Sequence, residues 1–150
     1  MFSLSYDQAS GVAVGLMSGD HNTDDDYARY VEAISSPVLT GTSPRAVMLF
    51  VVDRDNPVPN AAWRKKIAAA SVYTTRPIFA LITASPIIRG VATALNWLRP
   101  PTYEISTFAE FDAAVRWAEK HRGEPLPAAH RLLKEARAKA EQASPMTHVS

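Results

Sequence analysis

The sequence predicts an α/β protein: a mixed, largely parallel sheet of about five strands with four packing helices, plus a C-terminal helical extension. Three observations carry that prediction. The run Ala46–Val52 is apolar without alternation and Ile78–Thr83 is apolar up to its closing threonine, as expected of strands covered on both faces. Other stretches repeat their apolar residues every three or four positions, the spacing of an amphipathic helix. The two patterns alternate along the chain, and strands alternating with helices are joined by right-handed crossovers into parallel sheets. With 150 residues the chain has the length of one domain.

Each element has its own signal. Phe2, Leu4 and Tyr6 alternate with small or polar residues, which predicts a strand with one buried face. Asp7 to Gly11 is turn chemistry, and Val12–Met17 returns as the second arm of a hairpin. Thr23 is placed to cap a helix with Asp24, Asp25 and Asp26 in its first turn. Tyr27, Tyr30, Val31 and Ile34 share its inner face, and Pro37 ends it. A polar loop with Gly41 and Pro44 leads to the central strand, Ala46–Val52. Asn60 caps a helix whose inward residues are Trp63, Ile67, Ala70 and Ser71. Pro77 marks the boundary before Ile78–Thr83. Ser85-Pro86 then starts a helix, with Ile87, Val91, Leu95 and Leu98 on one face and Pro100-Pro101 at its end. Tyr103, Ile105 and Thr107 predict a short edge strand. Phe108, Phe111, Val115 and Ala118 form the stripe of a helix that ends near Gly123. After the linker around Pro125 and Pro127, about residues 128–142 form a polar helix with a narrow stripe of Leu132, Leu133, Ala136 and Ala140. Residues 144–150 read as a tail. The expected organisation is one domain over 1–122 and a linker, polar helix and tail over 123–150.

Composition excludes several classes. The apolar share is 47% and the charged share 21%, ordinary for a globular chain and wrong for a disordered one. With no cysteine there is no disulfide, no thiolate nucleophile and no Cys-ligated metal. The formal charge of +1 argues neither for nucleic acid nor for an anionic membrane. Residues 1–60 carry −5 and residues 61–150 carry +6, an asymmetry that an interleaved fold mixes in space. No run approaches the ~20 apolar residues of a membrane span. The first residues lack the pattern of a secretory signal, Phe2 excludes N-myristoylation, and prenylation has no cysteine to use. A cytoplasmic location without membrane insertion is the expectation.

Four places hold residue types with chemical potential. Asp20, His21 and Asp24, with Asp25 and Asp26, are the densest run of cation ligands. Consecutive helical residues point about 100° apart, however, so helix capping is the preferred reading. Asp53, Arg54, Asp55 and Asn56 come directly after the central strand, where ligands of parallel sheets gather. A carboxylate pair there suits Mg²⁺ or a general base, but a capped, ion-paired loop is the preferred reading. Ser85 and Arg89 open a helix whose free amides attract anions, though helix capping with packing at Gly90 is the preferred reading. Trp63-Arg64-Lys65-Lys66 is a short basic run, read as a solvated helix face with Trp63 turned inward. His21, His121, His130 and His148 lack metal-ligand spacing. There is no nucleophile elbow, no P-loop and no dinucleotide fingerprint, so no catalytic residue is assigned.

Several phrases resemble the STAS-like family, the fold of bacterial anti-anti-sigma factors, and especially its STAS/SEC14-type stand-alone bacterial proteins. They are the strand pair Val47–Val52 and Ile78–Thr83, the phrase from Ser85-Pro86-Ile87 through Asn96-Trp97-Leu98, and the closing unit Tyr103–Phe108 with Glu110, Ala113, Ala114 and Trp117. The likeness covers about residues 1–122 and consists mostly of packing patterns. It implies a signalling module that binds partners, and sometimes nucleotides or lipids, without catalysis of its own. In anti-anti-sigma members a switch serine caps the helix after the central strand, and phosphate there disrupts docking. Here Asp53 to Ala61 contains no Ser, Thr or Tyr. The expectation is therefore a regulatory or scaffolding module that binds a protein partner without a phosphorylatable switch. It needs no cofactor, and homo-oligomers remain open to it. Its working surface would be Asp53, Arg54, Asp55, Asn56, Asn60, Ser85 and Arg89. The alternative is a binder of a nucleotide, anion or lipid, or a Mg²⁺-dependent enzyme, using Asp53, Asp55 and His21 at the strand ends.

Overall fold

The computed structural model describes residues 1–35, 46–70, 77–98 and 104–143, without the side chains of 94–98 and 104. The sequence expectations at Pro37, Gly41, Pro44, Ser71, Pro100, Pro101, Tyr103 and the tail 144–150 lie outside the described residues, as do the side chains of Leu95, Trp97 and Leu98.

Five strands form one sheet: β1 (Phe2–Asp7), β2 (Val12–Met17), β3 (Val47–Val52), β4 (Ile78–Ile82) and β5 (Glu104–Phe108). They lie side by side in chain order. β1 and β2 are antiparallel, with Phe2 opposite Met17, and every later neighbour is parallel. The described helices are α1 (Asp24–Ile34), α2 (Ala61–Ala70), α3 (Pro86–Leu98), α4 (Phe111–Arg122) and α5 (Ala129–Ala143). The α/β class with a mixed, mostly parallel sheet is thus as the sequence predicts.

Strand order decides which helix goes where. Right-handed crossovers that always step the same way put their helices on one face. Accordingly α1, α2 and α3 share a face, where Trp63, Ile67 and Ile88 pack against a core of Phe2, Met17, Tyr27, Tyr30, Met48, Phe50 and Phe79. The opposite face is left to the chain beyond β5. There α4 and α5 cover Val12, Val14, Leu16, Val47, Leu49, Val51 and Ile78 with Ala114, Val115, Ala118, Ala129, Leu132, Ala136 and Ala140. The polar C-terminal helix is therefore docked, and it supplies half of a layer. α4 ends as expected at Gly123, whose positive φ of 79° closes the last turn.

Three local expectations are corrected. On β1, Ser3 and Ser5 are buried and Tyr6 is exposed. The serines face α5, where small hydroxyls fit under the helix and find partners. Ser3 Oγ donates to the Ala136 carbonyl at 2.9 Å and Ser5 Oγ to Glu135 at 2.6 Å. On α3, Ile87 is 71% exposed and the inward residue is Ile88. Phe108 belongs to β5, and helix α4 starts at Phe111.

Candidate functional site

Because β2 to β5 run parallel, the loops after β2, β3 and β4 emerge at the same end of the sheet, where α1, α2 and α3 begin. This end holds Asp20, His21, Asp24, Asp53, Arg54, Asp55, Asn56, Asn60, Ser85 and Arg89. The structure shows what each of them does.

Asp20 and His21 pair with one another at 3.1 Å, both exposed, and the histidine's hydrogen bond holds the Asp20 carboxyl below the usual range. Asp24 accepts a hydrogen bond from the Trp63 indole at 3.0 Å, and Trp63 stacks on Tyr27 with centroids 5.4 Å apart. Asp24 thus ties α1 to α2, and Lys66 sits over the same indole at 4.4 Å. Among the described residues, no group of three or more His, Asp or Glu could hold a metal ion.

Asp26 does the capping. Its backbone amide donates to the Thr23 hydroxyl at 3.1 Å, and its carboxylate accepts from the Thr23 amide at 2.8 Å, a reciprocal capping box. The same carboxylate accepts from the Phe2 amide at 3.0 Å and from Arg29 at 2.9 Å. Burial alone would raise its pKa. The hydrogen bonds from Thr23 and Phe2, with the Met1 ammonium 3.7 Å away, outweigh that and hold it at about 2.

The loop after β3 is pinned at two points. Asp53 accepts from Arg137 of α5 at 3.0 Å. Asn56 is buried and forms a reciprocal amide pair with Asn22, at 2.8 and 2.9 Å, while also donating to the Gly19 carbonyl at 3.1 Å. Asn22 in turn donates to the Tyr27 hydroxyl at 3.0 Å. Arg54, Asp55 and Pro57 stand exposed between and beside these pins. Asn60 caps α2 as expected, accepting from the Trp63 amide at 2.9 Å.

At the start of α3, Ser85 Oγ accepts from the Ile88 amide at 3.3 Å, and the Ser85 amide donates to the buried Thr83 hydroxyl at 3.1 Å. Arg89 donates to the Thr83 carbonyl at 2.7 Å. The guanidinium, a candidate for recruiting an anion, is held against the end of β4, in keeping with the preferred capping reading. Sequence reasoning singled out neither Asn22 nor Thr83. Asn22 is fixed by Asn56, 34 residues away, whereas Thr83 meets Ser85 and Arg89, two and six residues further along the chain.

A cleft of about 490 Å³ opens elsewhere, along β1. Met1, Phe2, Ser3 and Leu4 line it, with Arg29, Glu32 and Ala33 of α1 on one side and Lys139 and Ala143 of α5 on the other. Comparison with protein-family models, with curated proteins and with solved structures finds no match to this chain. Among the described residues no helix is long and apolar enough to cross a membrane.

Proposed function

We propose that the protein is a non-catalytic cytoplasmic module, STAS-like in kind, that docks a protein partner on the loop between Asp53 and Asn60. One observation supports this reading above others: the polar groups at this end are engaged with each other. Asp53 is held by Arg137, Asn56 by Asn22, and Arg89 by Thr83. A catalytic or small-ligand site needs polar groups converging on open space. A docking loop needs a braced backbone with exposed side chains, and Arg54, Asp55 and Pro57 meet that description. With no hydroxyl between Asp53 and Ala61, control by phosphate on this loop has no acceptor.

A photo-crosslinking residue at position 57, installed in cells that express the protein, tests the proposal. The expected result is a discrete protein adduct that is lost with Arg54→Glu and Asp55→Lys, while the circular dichroism of the variants is unchanged. An adduct indifferent to both reversals overturns the assigned surface. The ligand reading is tested separately by thermal shift with Mg²⁺ and with ATP. A genuine site at a hundredfold ligand excess adds ~2.7 kcal/mol and would replace docking as the proposed function.

A further inference from the structure

We infer that β1 is a self-association edge: two copies of this chain pair their β1 strands antiparallel about a two-fold axis at Leu4, fusing two sheets into one. The inference is independent of the docking loop.

β1 is the last strand on its side of the sheet. The Met1 carbonyl accepts from Ser18 at 2.8 Å and the Asp7 carbonyl from Gly11 at 2.9 Å, so odd-numbered residues bond inward to β2. The two-residue period of a strand then turns the amides and carbonyls of Phe2, Leu4 and Tyr6 outward. Of the described residues, two reach that edge: Asp26, which takes the Phe2 amide, and Lys139, which donates to the Leu4 carbonyl at 2.8 Å. The Phe2 carbonyl and the amides of Leu4 and Tyr6 are left facing outward, in the geometry that accepts another strand.

The pattern of these outward groups is self-complementary. An axis at Leu4 sets each Leu4 amide on the other copy's Leu4 carbonyl, and each Tyr6 amide on the other copy's Phe2 carbonyl. The blocked Phe2 amide keeps Asp26 and costs only the bond to Tyr6. Tyr6, 52% exposed, comes to lie beside the second copy's Phe2 on the same face. Lys139, an exposed side chain, must swing off the Leu4 carbonyl and away from the second copy's Lys139 across the axis.

On the α1 side of the strand, charge favours a second copy. Helix α1 borders the cleft with Arg29 and Glu32. Asp26 lies level with Phe2, and a helix advances ~1.5 Å per residue against ~3.3 Å for a strand. The point of α1 level with Leu4 is therefore about midway between Arg29 and Glu32. A two-fold axis there places Arg29 of one copy, already paired with its own Asp25 and Asp26, opposite Glu32 of the other, twice over.

The protein contains no cysteine, which makes the register directly testable. Facing residues of a hydrogen-bonded antiparallel pair have Cα atoms ~5.5 Å apart, within disulfide reach. Under mild oxidation Leu4→Cys should form a covalent dimer readily. Tyr6→Cys should not, because the two copies of position 6 lie about 14 Å apart along the strands. In sedimentation, the unmodified protein should dimerise with concentration. Leu4→Pro, which deletes an outward donor and leaves the β1–β2 ladder intact, and Tyr6→Asp should each raise the dissociation constant roughly tenfold or more. Should Leu4→Pro not fold, Tyr6→Asp at its exposed position carries the test alone. A monomer at all concentrations, a dimer indifferent to Tyr6→Asp, or equal crosslinking at positions 4 and 6 overturns the inference.

Discussion

On one face of the sheet Met48, Phe50 and Phe79 rise toward Tyr27, Tyr30 and Ile34 of α1; on the other, Val47, Leu49 and Ile78 lie beneath Ala114, Ala118, Ala129 and Ala136. The same strands feed both faces, because alternate residues point opposite ways. The first face is filled by rings: Tyr30 stacks on Phe50 at 4.4 Å, and Phe2 meets Tyr30 edge-on at 5.7 Å. The second is filled by aliphatic strand residues under helices whose inner faces are mostly alanine, with Val115 and Leu132 among them, and these small side chains let α4 and α5 lie close. The aromatic face ties its helix down with a buried carboxylate, Asp26. The alanine face uses the Ser3 hydroxyl and the outlying pair of Arg137 and Asp53. One face therefore depends on electrostatic anchoring of α1, and the other on the fit of α5.

The largest expected effect tests that fit. Leu132 is a large, fully buried side chain of α5, and Leu132→Ala should destabilise by ~2–5 kcal/mol in urea unfolding. A loss under ~1 kcal/mol would show that α5 is not part of the cooperative unit. Next is the anchor of the aromatic face. The Asp26 carboxyl has a folded pKa of about 2 against an ordinary 3.8. Its contribution is complete above the unfolded value and is lost as pH falls from about 4 toward 2. The difference corresponds to about 2 kcal/mol. Asp26→Asn should lose about that much at pH 7 and flatten the acid limb of a stability–pH profile, and a profile unchanged by the substitution would break the comparison. The smallest effect concerns crowding. Gly15 opposes Phe50 in the sheet, and a Cβ there would stand 2.6 Å from the Met48 methyl and 3.2 Å from the Phe50 ring. Gly15→Ala should cost ~1–2 kcal/mol, partly recovered by Met48→Leu, which withdraws the flexible tip. Equal stability of Gly15→Ala and the parent would mean that the ring layer has slack.

Much of the fold was legible in the residues because hydrophobic period is a local property. Val47–Val52 announced a strand buried on both sides, and the capping signals at Thr23, Asn60 and Ser85 each start the helix they predict. What misled was burial on amphipathic elements. On β1 the apolar series Phe2, Leu4, Tyr6 suggested one buried face, yet its last ring is exposed and the serines are covered. On α3 a one-residue error put Ile87 inward where Ile88 belongs. The candidate site was legible in location only. Asp53, Asn56, Ser85 and Arg89 do gather at the strand ends, but Arg137 and Asn22, which hold the first two, lie 84 and 34 residues away and carried no local signal, while Thr83 meets Ser85 and Arg89 within six residues.

By itself the sequence determined the elements, their order and the end of the sheet where the polar loops meet. These come from side-chain period, turn chemistry and the one-handedness of crossovers, all readable within a few residues of chain. Tertiary structure alone decided that α5 covers β1 and β2, that Ser3 and Ser5 go inside, and that the cleft opens beside Leu4. The strands step one way across the sheet and leave one face bare, and only chain folded back from beyond β5 was left to cover it.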